Sequence, residues 1–236
     1  MDPETQVEKL KLIRESIAEA EYKYGRAAGS VTLVGVTKFK SGEEILPALK
    51  AGLADVGENR AQEFNSKFEL FTSFGVRKHF IGALQLNKVK YLVGRADLIQ
   101  SVDKLSLAAE VNRLALIRGV RQPILIEVNI GGELQKSGVE PEKLSELFKM
   151  IADMPGVLAK GLMCVPPAGS EDEARPYFAR MRELFERMRA LDCGSAELTE
   201  LSMGMSGDYR AAIAEGATMV RIGSAIFGPR PPLKPV

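Results

Sequence analysis

A chain of 236 residues with 45% apolar side chains has room for one or two domains and a sizeable core. Its 32 basic and 31 acidic side chains leave a net charge of +1, so no electrostatic footprint for nucleic acid or a membrane surface is expected. Cys164 and Cys193 show neither metal-ligand spacing nor a disulfide framework, which points to a reducing cytoplasm. The opening stretch, MDPETQVEKLKLIRESIAEAE, is charged throughout and reads as neither signal peptide nor membrane span.

Helical spacing of Leu10, Ile13 and Ile17 predicts a first helix, with Gly25 as its stop. A buried strand follows at 31–37. Ser41 with Glu44 three residues on is a capping box, and Gly52 ends the helix that it opens. Next come the short strand ADVGEN, the helix RAQEFNSKFELF, the strand KHFIG and a helix over LQLNKVKYLVG. DLIQSV is a strand, DKLSLAAEVNRLALIRG a helix, and QPILIEVNI a clear strand. Glu140-Pro141 opens the helix EKLSELFKMIADM. VLAKGLMCV is a strand and EDEARPYFARMRELFERMRAL a helix. The pattern closes with the strand ELTELSM, the helix GDYRAAIAEG and the strand TMVRIG. GPRPPLKPV resembles a loose tail, residues 229–236 above all.

Eight strands separated by helices require parallel pairing with helical crossovers. At this length the fold class is α/β, a single (β/α)8 TIM barrel with an extra N-terminal helix. An open doubly wound sheet is the alternative, but TKFKSGEE after the first strand lacks the glycine-rich dinucleotide turn.

Active sites of such barrels lie at the carboxyl ends of the strands. The polar residues closing each apolar run should therefore converge. They are Lys38, Asn59, His79 within the third strand, Asn129, Ser202, Ser206, Arg221, Gly223 and Ser224, with Met163 ending the sixth strand. SMGMSG and IGSAIFG place small residues and hydroxyls after strands seven and eight, the usual phosphate site of the fold. A lysine on one wall and a phosphate cradle on the other suggest pyridoxal 5′-phosphate (PLP), whose aldehyde forms a Schiff base with a lysine.

LVGVTKFK, GENRAQEF, HFIGALQLNK, VNIGGELQKSG, KGLMCVPP and LSMGMSGDYRAAIAEGATMVRIGSAIFG resemble, in order and spacing, the signatures of the YggS/PROSC family of pyridoxal phosphate homeostasis proteins. The resemblance covers essentially the whole chain. It implies a barrel similar to the N-terminal domain of alanine racemase and of bacterial-type ornithine decarboxylase. It implies Lys38 as the Schiff-base lysine and Asn59 as a cofactor contact. Ser202, Gly223 and Ser224 would be phosphate contacts, and Arg221 would face the pyridine nitrogen. An arginine there donates a hydrogen bond without protonating the ring, which leaves a weak electron sink.

Two positions depart from the family pattern. Ala83 stands where many relatives have histidine, and Leu86 where a small polar residue is common. His79, the only histidine, is either a packed core residue or a site residue. Glu58 is either a base or helix-start dipole chemistry. Asn129 is expected to satisfy barrel-end backbone groups, and Cys164 to be core packing.

The expected function is a PLP carrier or homeostasis protein, a monomer without turnover of its own, that passes PLP to apo-enzymes. A slow amino-acid racemase is the alternative, and a regulatory partner that holds PLP is a third reading. Two-domain alanine racemases add a C-terminal domain bearing a catalytic tyrosine, whereas here only PRPPLKPV follows strand eight. No metal is expected.

Overall fold

Asp2 caps the first helix, α1 (Pro3–Lys23), through its carboxylate, which accepts from the backbone of Glu4 and Thr5. Gly25 ends it in the left-handed region at φ +65°, letting Arg26 N–H reach back to the Glu21 carbonyl at 2.8 Å. The chain is described by a computed structural model over residues 2–229, except 134, 192 and 195. The expected tail, from residue 230 on, lies outside the described residues.

After α1 the strands and helices alternate. They are β1 (Thr32–Val36), α2 (Gly42–Lys50), β2 (Asp55–Glu58), α3 (Ala61–Ser73) and β3 (Arg77–Phe80). A 3-10 helix (Leu86–Tyr91) leads to β4 (Leu98–Val102), α4 (Leu105–Ile117) and β5 (Gln122–Val128). Then follow α5 (Leu144–Ala152), β6 (Val157–Cys164), α6 (Glu171–Arg189), β7 (Glu200–Ser202), α7 (Tyr209–Ala214), β8 (Met219–Ile222) and α8 (Ser224–Phe227). The eight strands pair in sequence order, all parallel, and close into a barrel through a β1–β8 ladder with Val34 opposite Arg221. The expected TIM barrel with its extra N-terminal helix is what the chain forms.

Two apolar cores result. The larger lies between the strands and the helical shell, where Phe64, Phe71, Phe80, Phe148 and Phe178 are fully buried. The smaller fills the lumen with Val34, Leu98, Leu125, Met163 and Met219. Buried apolar surface contributes roughly 25 cal/mol per Å². The shell therefore supplies most of the stability, while the lumen sets what can sit on the barrel axis. Gln6 fastens α1 to α2, accepting from Ala48 N–H and donating to the Glu44 carbonyl.

Three elements differ from the sequence pattern. LQLNKVKYLVG forms a 3-10 turn instead of an α-helix. Val89 and Leu92, both fully buried, are three apart, the spacing that a 3-10 helix eclipses on one face, and Val93 beside them is buried as well. The helix expected from Pro141 begins at Leu144, because residues 141–143 form a separate turn with Lys143 N–H on the Glu140 carbonyl. The short helix α8 continues the chain directly after β8, where the sequence pattern ends at the strand.

Candidate functional site

Lys38 sits in a tight turn just beyond β1, at the carboxyl end of the barrel. Lys40 N–H closes the turn on the Thr37 carbonyl at 3.2 Å. Phe39 takes φ +63°, the one non-glycine among the described residues with positive φ. Such a conformation costs on the order of 1–3 kcal/mol and persists only where the surroundings over-determine it. Here they do. Phe39 N–H donates to Glu63 Oε2 at 2.7 Å, and the Arg60 guanidinium lies 4.8 Å from the centre of the Phe39 ring.

Beneath the turn lies a buried charged group. The Lys67 ammonium, carried by α3, donates to the Thr37 carbonyl at 2.8 Å and to Glu58 Oε1 at 2.7 Å. The Thr37 hydroxyl donates to the same Glu58 oxygen at 2.6 Å. Glu58 Oε2 is buried without a partner. Desolvation raises the Glu58 carboxyl above its ordinary range, although Lys67 and Thr37 pull it down. Glu58 thus holds the Lys38 turn from below, and neither helix-start dipole chemistry nor a solvent-facing base describes it.

Lys38 opens onto a cavity of about 470 Å³ at the barrel mouth. Asn59, Ser206, Arg221, Gly223 and Ser224 share its wall with Lys38. Four separate strand ends or loops thus bring these sequence-predicted residues together, as the alternation of strands and helices demands. Asn59 is fixed by a close backbone approach: a Cβ on Gly82 would lie 2.2 Å from the Asn59 carbonyl oxygen. The Asn59 Oδ1 atom is buried and unpartnered. On the far side, Ser206 Oγ accepts from Ala225 N–H at 3.5 Å, so the loops after β7 and β8 face each other. Gly207 borders the cavity with open space where a side chain would stand.

Two predicted contacts lie elsewhere. Ser202 is fully buried below the cavity, accepting from Arg221 Nη1 at 2.6 Å and donating to Gln100 Oε1 at 2.7 Å. With both directions of its hydroxyl engaged, it does not border the cavity. His79 is also buried in the lumen, with Nε2 2.9 Å from Asp55 Oδ1 and Nδ1 3.0 Å from Gln100 Nε2. Neither side chain borders the cavity; both belong to a buried lumen network, which for His79 is the packed-core alternative. Depth along the strand places them there, since their side chains point inward below the cavity floor.

Arg221 is 4% exposed and donates to two uncharged acceptors, Ser202 Oγ and the Cys164 carbonyl, the latter at 2.8 Å. Burial lowers its pKa, an effect opposed by the nearby Glu127 and Asp208. Glu127 is pushed up to about 7, first by burial and then by Asp103. Sequence patterning offered no signal for it, because a carboxylate within an apolar strand has no motif of its own. The Cys164 thiol is raised to about 12 by burial, which makes it the inert packing group expected. Asn129 Nδ2 donates to the Glu133 carbonyl at 2.9 Å, tying down its own loop. Ala83 borders a neighbouring groove and Leu86 is exposed, so neither departure touches the cavity.

The profile of the alanine racemase N-terminal domain matches residues 17–231. The pyridoxal phosphate homeostasis protein of Aquifex aeolicus is 44% identical over 224 residues, 94% of this chain and 97% of that one. The chain belongs to the pyridoxal phosphate homeostasis protein family. A family structure, PipY of Synechococcus elongatus PCC7942 with PLP bound, superposes with a TM-score of 0.78 at 33% identity. It covers 90% of this chain and all of PipY. An unknown protein from Bifidobacterium adolescentis gives a TM-score of 0.90 at 34% identity, over 96% of this chain and 97% of that one. Among the described residues no helix is long and apolar enough to cross a membrane, and no cluster of metal-ligating side chains occurs.

Proposed function

We propose that this chain binds pyridoxal 5′-phosphate and serves intracellular PLP homeostasis, holding the cofactor as a Schiff base on Lys38 without significant turnover. The observation that carries the reading is the shared cavity: Lys38 borders one side, and Ser206, Gly207, Gly223 and Ser224 border the other. The residues present fit the group. Asn59 offers a buried acceptor that lacks a protein donor, and Arg221 a buried cation with uncharged partners. When bound, PLP supplies an aldehyde for a lysine amine and a ring able to delocalise negative charge. Lys38 anchors, the β7 and β8 loops hold the phosphate, and Arg221 donates toward the ring nitrogen while staying charged.

Treatment of the PLP-loaded protein with borohydride is expected to fix the cofactor to the peptide containing Lys38. Mass spectrometry reads the site. An adduct on another lysine in the wild-type chain, or an unchanged visible absorption band in Lys38→Ala, would overturn the assignment.

A carrier is favoured over a racemase by the cavity wall. Its ionisable side chains among the described residues are Lys38, Lys40 and Arg221, with no carboxylate, histidine or tyrosine placed to return a proton from the opposite face. Racemisation of common L-amino acids should therefore fall far below the enzyme median of about 10 per second. The loaded protein should also pass PLP to an apo-enzyme in the reducing cytoplasm, a setting that suits its two free cysteines. Chiral chromatography run beside a transfer assay checks both; ordinary enzyme rates of racemisation would sink the carrier reading.

A further inference from the structure

Five side chains run through the barrel lumen in unbroken hydrogen-bond contact. Arg221 Nη1 meets Ser202 Oγ at 2.6 Å, Ser202 Oγ meets Gln100 Oε1 at 2.7 Å, and Gln100 Nε2 meets His79 Nδ1 at 3.0 Å. His79 Nε2 then meets Asp55 Oδ1 at 2.9 Å. Asp55 is the first residue of β2, so the chain ends at the amino-terminal face, where its carboxylate borders a cavity beside Arg14 and Glu21. Arg77 Nη1 stands 3.5 Å from the same carboxylate oxygen.

The Gln100 amide turns Oε1 toward Ser202 and Nε2 toward His79, and with that orientation the donor and acceptor chemistry allows one direction only. A guanidinium only donates, so Ser202 accepts from Arg221 and sends its own proton to Gln100 Oε1. The amide in turn presents Nε2–H to His79 Nδ1. Nδ1 must then be bare and the imidazole proton must sit on Nε2, aimed at Asp55. A carboxylate only accepts, so the far end agrees with the near end. Every dipole in the series points the same way, from the buried cation toward the carboxylate, and hydrogen bonds in such a series polarise one another. Gln100 spends its second amide proton on Met219 Sδ at 3.0 Å, so its amide is left with no spare donor.

We infer that Asp55, His79 and Gln100 are positioning residues that hold Arg221 in place from below through this one-way chain. The inference rests on the PLP reading for its consequence at the cofactor, but not for the direction of the chain. Arg221 is the one member that borders the cofactor cavity. A reversal anywhere along the series leaves two donors, or two acceptors, facing each other at the next link. The disturbance is relieved only by turning the Gln100 amide or releasing Ser202 from Arg221.

His79 is the only histidine in the chain, so one imidazole pattern appears in a 15N-resolved NMR spectrum and needs no assignment. Without PLP, the wild-type ring is expected to carry its proton on Nε2 with Nδ1 bare. A proton on Nδ1 would overturn the chain outright. Asp55→Asn supplies the reversal: Arg77 draws the amide oxygen, and the amide NH2 then faces His79. The expected result is a proton moved to Nδ1, PLP affinity weakened about tenfold, as for loss of one hydrogen bond to a charged group, and a shifted absorption band of bound PLP. Gln100→Leu cuts the chain higher up and should weaken PLP equally while the proton stays on Nε2, which keeps the test alive if Asp55→Asn fails to fold. A tautomer that switches with affinity and band unchanged overturns the positioning role, since a merely structural change would lower melting temperature alone. A wild-type chain that binds no PLP in the same titration overturns the cofactor reading instead, and the tautomer measurement distinguishes the two failures.

Discussion

Lys67→Met is expected to destabilise the fold by about 3–5 kcal/mol, the usual cost of stranding one member of a buried ion pair. Both partners are sequestered, Lys67 at 6% and Glu58 at 0% exposure, so solvent screening does little to soften the loss. The variant leaves Glu58 with the Thr37 hydroxyl as its remaining partner and removes the cation that holds the Thr37 carbonyl. The effect should grow with pH. Desolvation already raises the Glu58 carboxyl, and without Lys67 it rises further. The folded state then binds a proton that the unfolded state has released. Stability of the variant therefore falls as pH rises from the ordinary glutamate value toward the folded one. Urea unfolding at pH 5 and pH 8 reads both claims. A loss under 1 kcal/mol at pH 8, or one that shrinks as pH rises, would show that the pair is not closed to water. Replacing both residues, Glu58→Leu with Lys67→Met, should recover much of the stability but loosen the Lys38 turn.

Pyridoxal lacking its phosphate is expected to bind at least a hundredfold more weakly than PLP. The loops bearing Ser206, Gly223 and Ser224 face each other across one end of the cavity, and hydrogen bonds to a charged acceptor contribute roughly 1.5–3 kcal/mol each. Losing two of them accounts for two orders of magnitude. Ser202 takes no direct part, since its hydroxyl is committed to Arg221 and Gln100. Ser224→Ala should consequently weaken PLP and leave pyridoxal alone, whereas Ser202→Ala should weaken both through Arg221. Equal affinities for PLP and pyridoxal in a fluorescence titration would remove the phosphate reading.

The barrel was legible in the sequence because each strand is a short apolar run bounded by a helix with its own punctuation. Ser41 with Glu44, Gly25 and Gly52 all do what their residue types suggest. Lys38, Asn59, Arg221, Gly223 and Ser224 were legible because strand ends of a closed parallel barrel must converge. Depth was not legible. His79 and Ser202 sit on inward-facing positions of short strands, and one layer up or down along a strand separates a cavity wall from a packed lumen. Gln100 was missed altogether, as its strand DLIQSV looks like ordinary core with one polar intruder. Lys67 looked like any lysine on a helix surface. Only the return of α3 across the β1 turn makes it a buried cation, and no local pattern encodes that approach.

The ladder between β1 and β8, with Thr32 opposite Met219, also governs how the chain reaches this shape. A growing chain can form successive strand–helix units as they emerge, but the seam waits for β8, the last of the described strands. Until then β1 and β7 each present a raw edge, and the lumen network lacks Arg221, the member that fixes its direction. Such distant pairing slows folding and exposes partly built sheets to association with one another. Production of this protein should therefore depend more on the time taken to close the seam than on the strength of any single contact within it.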